Sequence, residues 1–149
     1  LDTIKKLVEL GVDINSISHV GNSLLVLVIS RYHFELADYL LGLPGIDVNI
    51  KNKYDRAAIT LASDNGTPLD TIKKLVELGV DINSVNGDGS SPLISALSSK
   101  HFEIADYLLS LPGIDVNIKD KRGDTAIALA SINNAPQSII NEINHLRKL

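Results

Sequence analysis

Four histidines and a set of evenly spaced aspartates are the residues of this 149-residue chain whose chemistry could be catalytic or metal-binding. His19, His33, His101 and His145 supply imidazoles, but His33 and His101 fill the same slot 68 residues apart, each before a Phe-Glu pair. No ligand set converges on either, so a structural role fits them better than metal or acid-base chemistry. Asp13, Asp47, Asp81 and Asp115 recur every 34 residues, each two positions before an asparagine. Carboxylates at a fixed interval form a stripe rather than a catalytic pair, and read as loop-fixing hydrogen-bond acceptors. Asn83 to Gly89 gathers oxygen ligands and glycines in the manner of a calcium loop, yet no carboxylate closes it at the twelfth position, so it reads as a turn. Asn65-Gly66-Thr67 has the form of a glycosylation acceptor, expected to go unused in a chain with no leader and no cysteine. With no glycine-rich phosphate loop, nucleophile elbow or His-Glu-x-x-His, an enzyme is not expected, nor is a cofactor.

The elements that carry these residues are repeated. Leu1 to Ser16 returns letter for letter at Leu69 to Ser84, a period of 68, and the triplets Asp13-Ile14-Asn15, Asp47-Val48-Asn49, Asp81-Ile82-Asn83 and Asp115-Val116-Asn117 divide it into steps of 34. Two kinds of unit therefore alternate, one ending Leu-Pro-Gly-Ile-Asp-Val-Asn and the other Glu-Leu-Gly-Val-Asp-Ile-Asn. Units this small bury their apolar faces only against neighbours. The array divides into a partial unit over residues 1–16, full units over 17–50, 51–84 and 85–118, and a C-terminal capping unit over 119–149.

Each unit reads as turn, helix, turn, helix. In the first segment Leu1, Ile4, Leu7 and Val8 share a face, Lys5, Lys6 and Glu9 lie off it, and Gly11 stops the helix. An apolar segment from Ser23 to Ile29 precedes a helix from about His33, ended by Pro44-Gly45. The next unit offers Ala57 to Ser63 and Leu69 to Leu78, broken at Asn65-Gly66-Thr67-Pro68. Ser91-Pro92 starts a helix with a cap and a proline at its first position. The final helix is more polar, as expected of a terminal repeat that shows water a face its neighbours bury.

Composition narrows the function classes. Hydrophobic residues at 44% and charged residues at 21% suit a folded chain, no apolar run reaches the length of a membrane span, and a net charge of −4 does not favour nucleic acid. Zero cysteines exclude disulfides and thiolate chemistry and suit the cytoplasm or another reducing intracellular compartment. The absence of methionine and a start in mid-unit lead us to expect a fragment of a longer chain.

The run Asp88-Gly-Ser-Ser-Pro-Leu-Ile-Ser-Ala-Leu, followed by His101-Phe-Glu-Ile-Ala-Asp-Tyr-Leu-Leu and Gly113-Ile-Asp-Val-Asn, resembles the ankyrin repeat, and the resemblance covers the whole chain. It implies an all-α, ankyrin-type solenoid of stacked helix-turn-helix units, with turn fingers projecting to one side and a concave face that binds other proteins. The family's Thr-Pro-Leu-His signature is nearest at Ser91-Pro92-Leu93-Ile94 and weakest at Ala57-Ala58-Ile59-Thr60, and no unit keeps its histidine. That imidazole joins hydrogen bonds between fingers in the family, so apolar layers are expected to hold this stack with less polar help.

Matched to the family's variable positions, the partner-binding candidates are Arg31, Lys51, Lys53, Tyr54, Arg56, Asp88, Lys119, Lys121 and Arg122. Basic residues cluster in two fingers two units apart. With layers roughly 10 Å apart they should lie about 20 Å from each other. The expected partner is another protein presenting an acidic surface. Nucleic acid is disfavoured, because only Tyr54 is available to stack a base. The alternative is a structural or weakly self-associating segment, favoured by the near-identical units and by a bare helix face at Leu1, Ile4, Leu7 and Val8.

Overall fold

A computed structural model describes residues 1–149. It contains nine helices, α1 (Asp2–Glu9), α2 (Leu24–Ser30), α3 (Phe34–Leu41), α4 (Ala58–Asn65), α5 (Leu69–Glu77), α6 (Pro92–Ser98), α7 (Phe102–Leu109), α8 (Ala126–Ile132) and α9 (Gln137–Arg147). No strand forms beyond a lone antiparallel bridge between Ile17 and Ser23. From α2 onward consecutive helices pair as hairpins. The first helices α2, α4, α6 and α8 stack as an inner row, and α3, α5, α7 and α9 as an outer row. The architecture is thus the all-α solenoid expected from the repeats.

Local chemistry sets the helix ends. Ser23 Oγ accepts from the Val26 N–H at 3.2 Å, Ser91 Oγ from Ile94 N–H at 3.2 Å and Thr125 Oγ1 from Ala128 N–H at 3.4 Å, while Ala57 offers α4 no side-chain cap. Helix α4 starts one residue later and ends two residues later than the expected 57–63 span. Its extension is closed by Gly66, left-handed at φ 74, with Thr67 N–H donating to the Ala62 carbonyl. Inner helices are buried on several sides, α6 from Pro92 through Leu97. Outer helices are amphipathic: α5 buries Ile72 and Leu75 and exposes Lys73, Lys74 and Glu77. Each such fully buried Leu or Ile stabilises by roughly 1.5–3 kcal/mol.

Polar groups add to the stack more than the missing histidines suggest. The Asp of each Asp-x-Asn triplet fixes its own loop, accepting the N–H of Asn15, Asn49, Asn83 or Asn117 at 2.8–3.0 Å. The Asn then reaches the next layer. Asn15 Nδ2 donates to the Gly45 carbonyl at 2.8 Å and its Oδ1 accepts the Asp47 N–H at 2.7 Å. Asn49 treats Gly79 and Asp81 in the same way, and Asn83 treats Gly113 and Asp115. Thr60, in the slot of the absent histidine, donates its buried hydroxyl to the Ser84 carbonyl at 3.1 Å. The unit whose signature is weakest therefore keeps a polar tie at that slot.

On the outer face the ties alternate. Asp38 of α3 accepts from Thr71 Oγ1 at 2.8 Å and pairs with Lys74 Nζ at 3.4 Å, both on α5. The following contact uses a cation over a ring instead, Lys73 above Tyr107 at 5.6 Å, and Lys5 stands likewise over Tyr39 at 5.3 Å. Lys5, expected to lie off the packed face, is therefore half-buried by its aliphatic stem and ring contact. His101 also serves packing. Its Nε2 lies 3.1 Å from the Asp64 carbonyl, and its ring fills the space beside Gly66, where a Cβ would come within 2.6 Å of Cε1.

Two predictions follow from the unit without a cap. Asp55 takes φ 56 where Gly21, Gly89 and Gly123 hold φ 84, 76 and 85. Asp55→Gly should raise stability by about 1 kcal/mol in urea unfolding, and amides 52–58 should exchange faster than 86–92 and 120–126 in the parent. Equal protection of the three turns would show that stacking masks the defect. Thr60→Val should cost about 1–3 kcal/mol, because the nearly buried Ser84 carbonyl loses its donor. No change in unfolding midpoint would mean that water replaces the hydroxyl.

Candidate finger and concave surface

Each of the last three fingers is built around one side chain that accepts two backbone N–H groups, whereas in the first finger Ser18 Oγ accepts only that of Asn22, at 3.3 Å. Asn52 Oδ1 takes those of Tyr54 and Arg56 at 2.9 and 3.0 Å. Asn86 Oδ1 takes those of Asp88 and Ser90 at 2.9 and 3.0 Å, and Asp120 Oδ1 those of Arg122 and Asp124, both at 2.9 Å. A backbone bond closes each loop, from Asn52 N–H to the Arg56 carbonyl, Asn86 to Ser90 and Asp120 to Asp124, all at 3.0 Å. Neighbouring fingers are tied together as well: Gly87 N–H donates to the Tyr54 carbonyl and Lys121 N–H to the Asp88 carbonyl, both at 2.9 Å. A Cβ on Gly87 would sit 3.1 Å from that Tyr54 oxygen, a tight contact, although Lys121 makes the equivalent bond with a Cβ in place. These last three fingers form one edge.

Behind this edge, between the fingers and the helices α4 and α6, runs a groove of about 460 Å³. It brings together Arg56, Asp88, Lys121 and Arg122 of the residues expected from sequence. Thr60, Asp64, Asn86, Ser95 and Asp120 share the lining, and Leu61 is its one apolar member. Thr60, Asn86, Ser95 and Asp120 were not singled out by sequence reasoning. The 34-residue recurrence of Asn52, Asn86 and Asp120 was the available signal, hidden by the exchange of amide for carboxylate. The groove floor carries Asp64 and Asp120 beside the cations, so it is mixed in charge rather than uniformly basic.

The other expected residues lie outside that groove. Tyr54 is 58% exposed, with Lys53 Nζ 5.0 Å and Arg56 Cζ 5.9 Å from its ring centre, so two cations steady an aromatic at the finger tip. Lys51 Nζ is turned along the edge and donates to the Val85 carbonyl at 3.0 Å. Lys119 is exposed beside the last finger. Arg31 is exposed at the C-terminal end of α2, where the inner helices α4 and α8 instead end with Asn65 and Asn133 reaching back to the Ile29 and Leu97 carbonyls.

No His, Cys, Asp and Glu side chains group as a metal site, and no helix is long and apolar enough to cross a membrane. An open groove lined by one apolar and many polar groups differs from the mostly apolar clefts that enclose small molecules. Its chemistry suits polar contact with a surface. Comparison with known proteins agrees with the fold. The family described as "Ankyrin repeats (3 copies)" matches residues 1–86, 25–120 and 60–143. Similar proteins include Rabankyrin-5 of Homo sapiens, 35% identical over 78 residues, which are 46% of this chain and 7% of that protein. A putative ankyrin repeat protein, L271 of Acanthamoeba polyphaga mimivirus, is 41% identical over 73 residues, covering 49% of this chain and 10% of L271. The probable 26S proteasome regulatory subunit p28 of Saccharomyces cerevisiae is 27% identical over 146 residues, 96% of this chain and 63% of p28. The chain thus spans a tenth or less of the first two relatives and under two thirds of the third. On the family match and the stacked helix hairpins together, this chain belongs to the ankyrin-repeat family.

Proposed function

We propose that this chain binds a partner protein through the edge formed by its fingers and the groove behind them, and that the partner presents an acidic surface to Lys53, Lys119, Lys121 and Arg122. The observation that carries the reading is the tying of successive fingers, Tyr54 to Gly87 and Asp88 to Lys121, which holds separate cations in one fixed array. Fixed groups lose less entropy on binding than free loops do. Tyr54, steadied by Lys53 and Arg56, is the aromatic anchor, and the exposed Asp64 in the groove lining accepts donors from the same partner. The proposal assigns no catalytic step to the chain, and a reducing intracellular compartment is where we propose it works.

The test uses a partner recovered by affinity capture. Lys53→Glu with Arg56→Glu, and separately Lys119→Glu with Lys121→Glu, should each weaken binding by about tenfold at low salt, with less effect where screening shortens to about 8 Å. Lys6→Glu with Lys148→Glu, both exposed and away from the groove, should leave affinity unchanged. If only the Lys6 and Lys148 pair mattered, the binding face would lie away from the finger edge.

Self-association is a second reading, supported by the exposure of Leu7 on α1 and of Leu1 and Leu10 at its two ends. Sedimentation should then show mass rising with concentration toward about 1 mM, and Leu7→Lys should return it to monomer. A constant monomer mass removes this reading and leaves the finger edge unaffected.

A further inference from the structure

Three inner helices carry a leucine at the same place in their unit, Leu27, Leu61 and Leu129, where α6 carries Ser95. The exchange removes the branched end of a leucine from the middle of the row, and Ser95 lines the groove behind the fingers with Leu61 beside it. Ser95 is only 5% exposed, yet its Oγ makes no hydrogen bond of the kind that ties other buried hydroxyls. Ser63, by contrast, donates to the Ile59 carbonyl at 2.8 Å and Thr60 to that of Ser84 at 3.1 Å. No buried side-chain oxygen is both unbonded and shut away from solvent, so the Ser95 hydroxyl opens into the groove that it lines. Asp120, 7% exposed, is placed likewise: its Oδ1 holds the two N–H groups of the finger, and its Oδ2 holds none.

Charge is sorted within the same space. The ion pairs of the chain join Lys74 to Asp38 and Arg122 to Asp124, so the groove carboxylates Asp64, Asp88 and Asp120 pair with no cation. The cations are drawn outward, Arg56 Cζ to 5.9 Å from the Tyr54 ring and Arg122 Nε to 4.0 Å from Asp124 Oδ2. A nearly buried carboxylate gains most from a cation that also donates hydrogen bonds to it.

We propose that the notch at Ser95 is a socket for one arginine side chain of the partner, carried in a segment whose neighbouring residues are acidic. The stem lies along Leu61, the guanidinium donates to Asp120 Oδ2 and Ser95 Oγ, and the flanking carboxylates meet Arg56, Lys121 and Arg122. Arginine suits the socket better than lysine, because its planar head offers donors to two acceptors at once and is less strongly hydrated. A glutamate there would set its charge against Asp120. The inference rests on the finger-edge reading for the class of partner and adds the side chain that such a partner brings.

Two substitutions install what sister units already carry. Ser95→Leu fills the notch as Leu27, Leu61 and Leu129 fill theirs, and Asp120→Asn keeps the finger clamp that Asn52 and Asn86 make with an amide. The probes are capped peptides of the form Glu-Glu-X-Glu-Glu, with arginine, lysine or glutamine at X, titrated into the full chain at low salt while backbone amide shifts are followed by NMR. The arginine peptide should bind about tenfold more tightly than the glutamine peptide, with lysine between them. Ser95→Leu should erase that preference and Asp120→Asn should reduce it. Equal binding of the arginine and glutamine peptides would overturn the proposal, as would lysine matching arginine, a preference that survives Ser95→Leu, or no binding by any peptide. Lys119→Glu with Lys121→Glu should weaken all three peptides alike and leave their order unchanged. A missing preference for arginine therefore marks failure of the socket, and a missing effect of the charge reversal marks failure of the finger-edge reading.

Discussion

Every layer of this molecule can bury its apolar residues only against the layer before it and the layer after it. Helices of seven to nine residues in the stack's interior would be marginal alone. They persist because inner helices such as α6 touch a neighbour on each side and a partner behind, so that Pro92 through Leu97 are all removed from water. The same dependence explains why identical residues at 1–16 and 69–84 differ in burial although both form a helix. Local sequence decides the helix; neighbours decide its cover.

Around that apolar column the polar groups act as register marks. A Leu-on-Leu contact tolerates sliding, whereas Asn49 must reach a carbonyl and an N–H of the next loop at once. The finger clamps work in the same manner within a loop, and the Tyr54 to Gly87 and Asp88 to Lys121 bonds transmit their geometry between loops. The finger edge is therefore fixed for the same reason that the stack is held in register: each loop is tied by side chains of its own and by the backbone of its neighbour.

Much of this was legible in the letters. The 34-residue step, the capping residues Ser23, Ser91 and Thr125, the uncapped Ala57 and the positive φ at Asp55 all follow from residue type at matched positions, because they are local. What the letters hid was contact between units. The Asp-x-Asn triplets were visible, but only the Asp could be given a role from its own loop, since the partners of the Asn lie 30 and 32 residues on. Asp120 was hidden differently: its carboxylate does what Asn52 and Asn86 do with an amide, and charge alone would have sent it to the surface. Arg31 matched a variable position yet lies away from the groove, because matching by position does not say which way a helix end faces.

The alternation of ties on the outer face also limits how such a gene can change length. Loss of one 34-residue step would set a helix like α3 against a helix like α7, leaving Asp38 to face Ile104 and Tyr107 where Thr71 and Lys74 had stood. Loss or gain of 68 residues restores both kinds of contact at once. An array of this chemistry should therefore expand and contract by whole pairs, and the perfect copy of sixteen residues at that larger spacing is the mark such an event would leave.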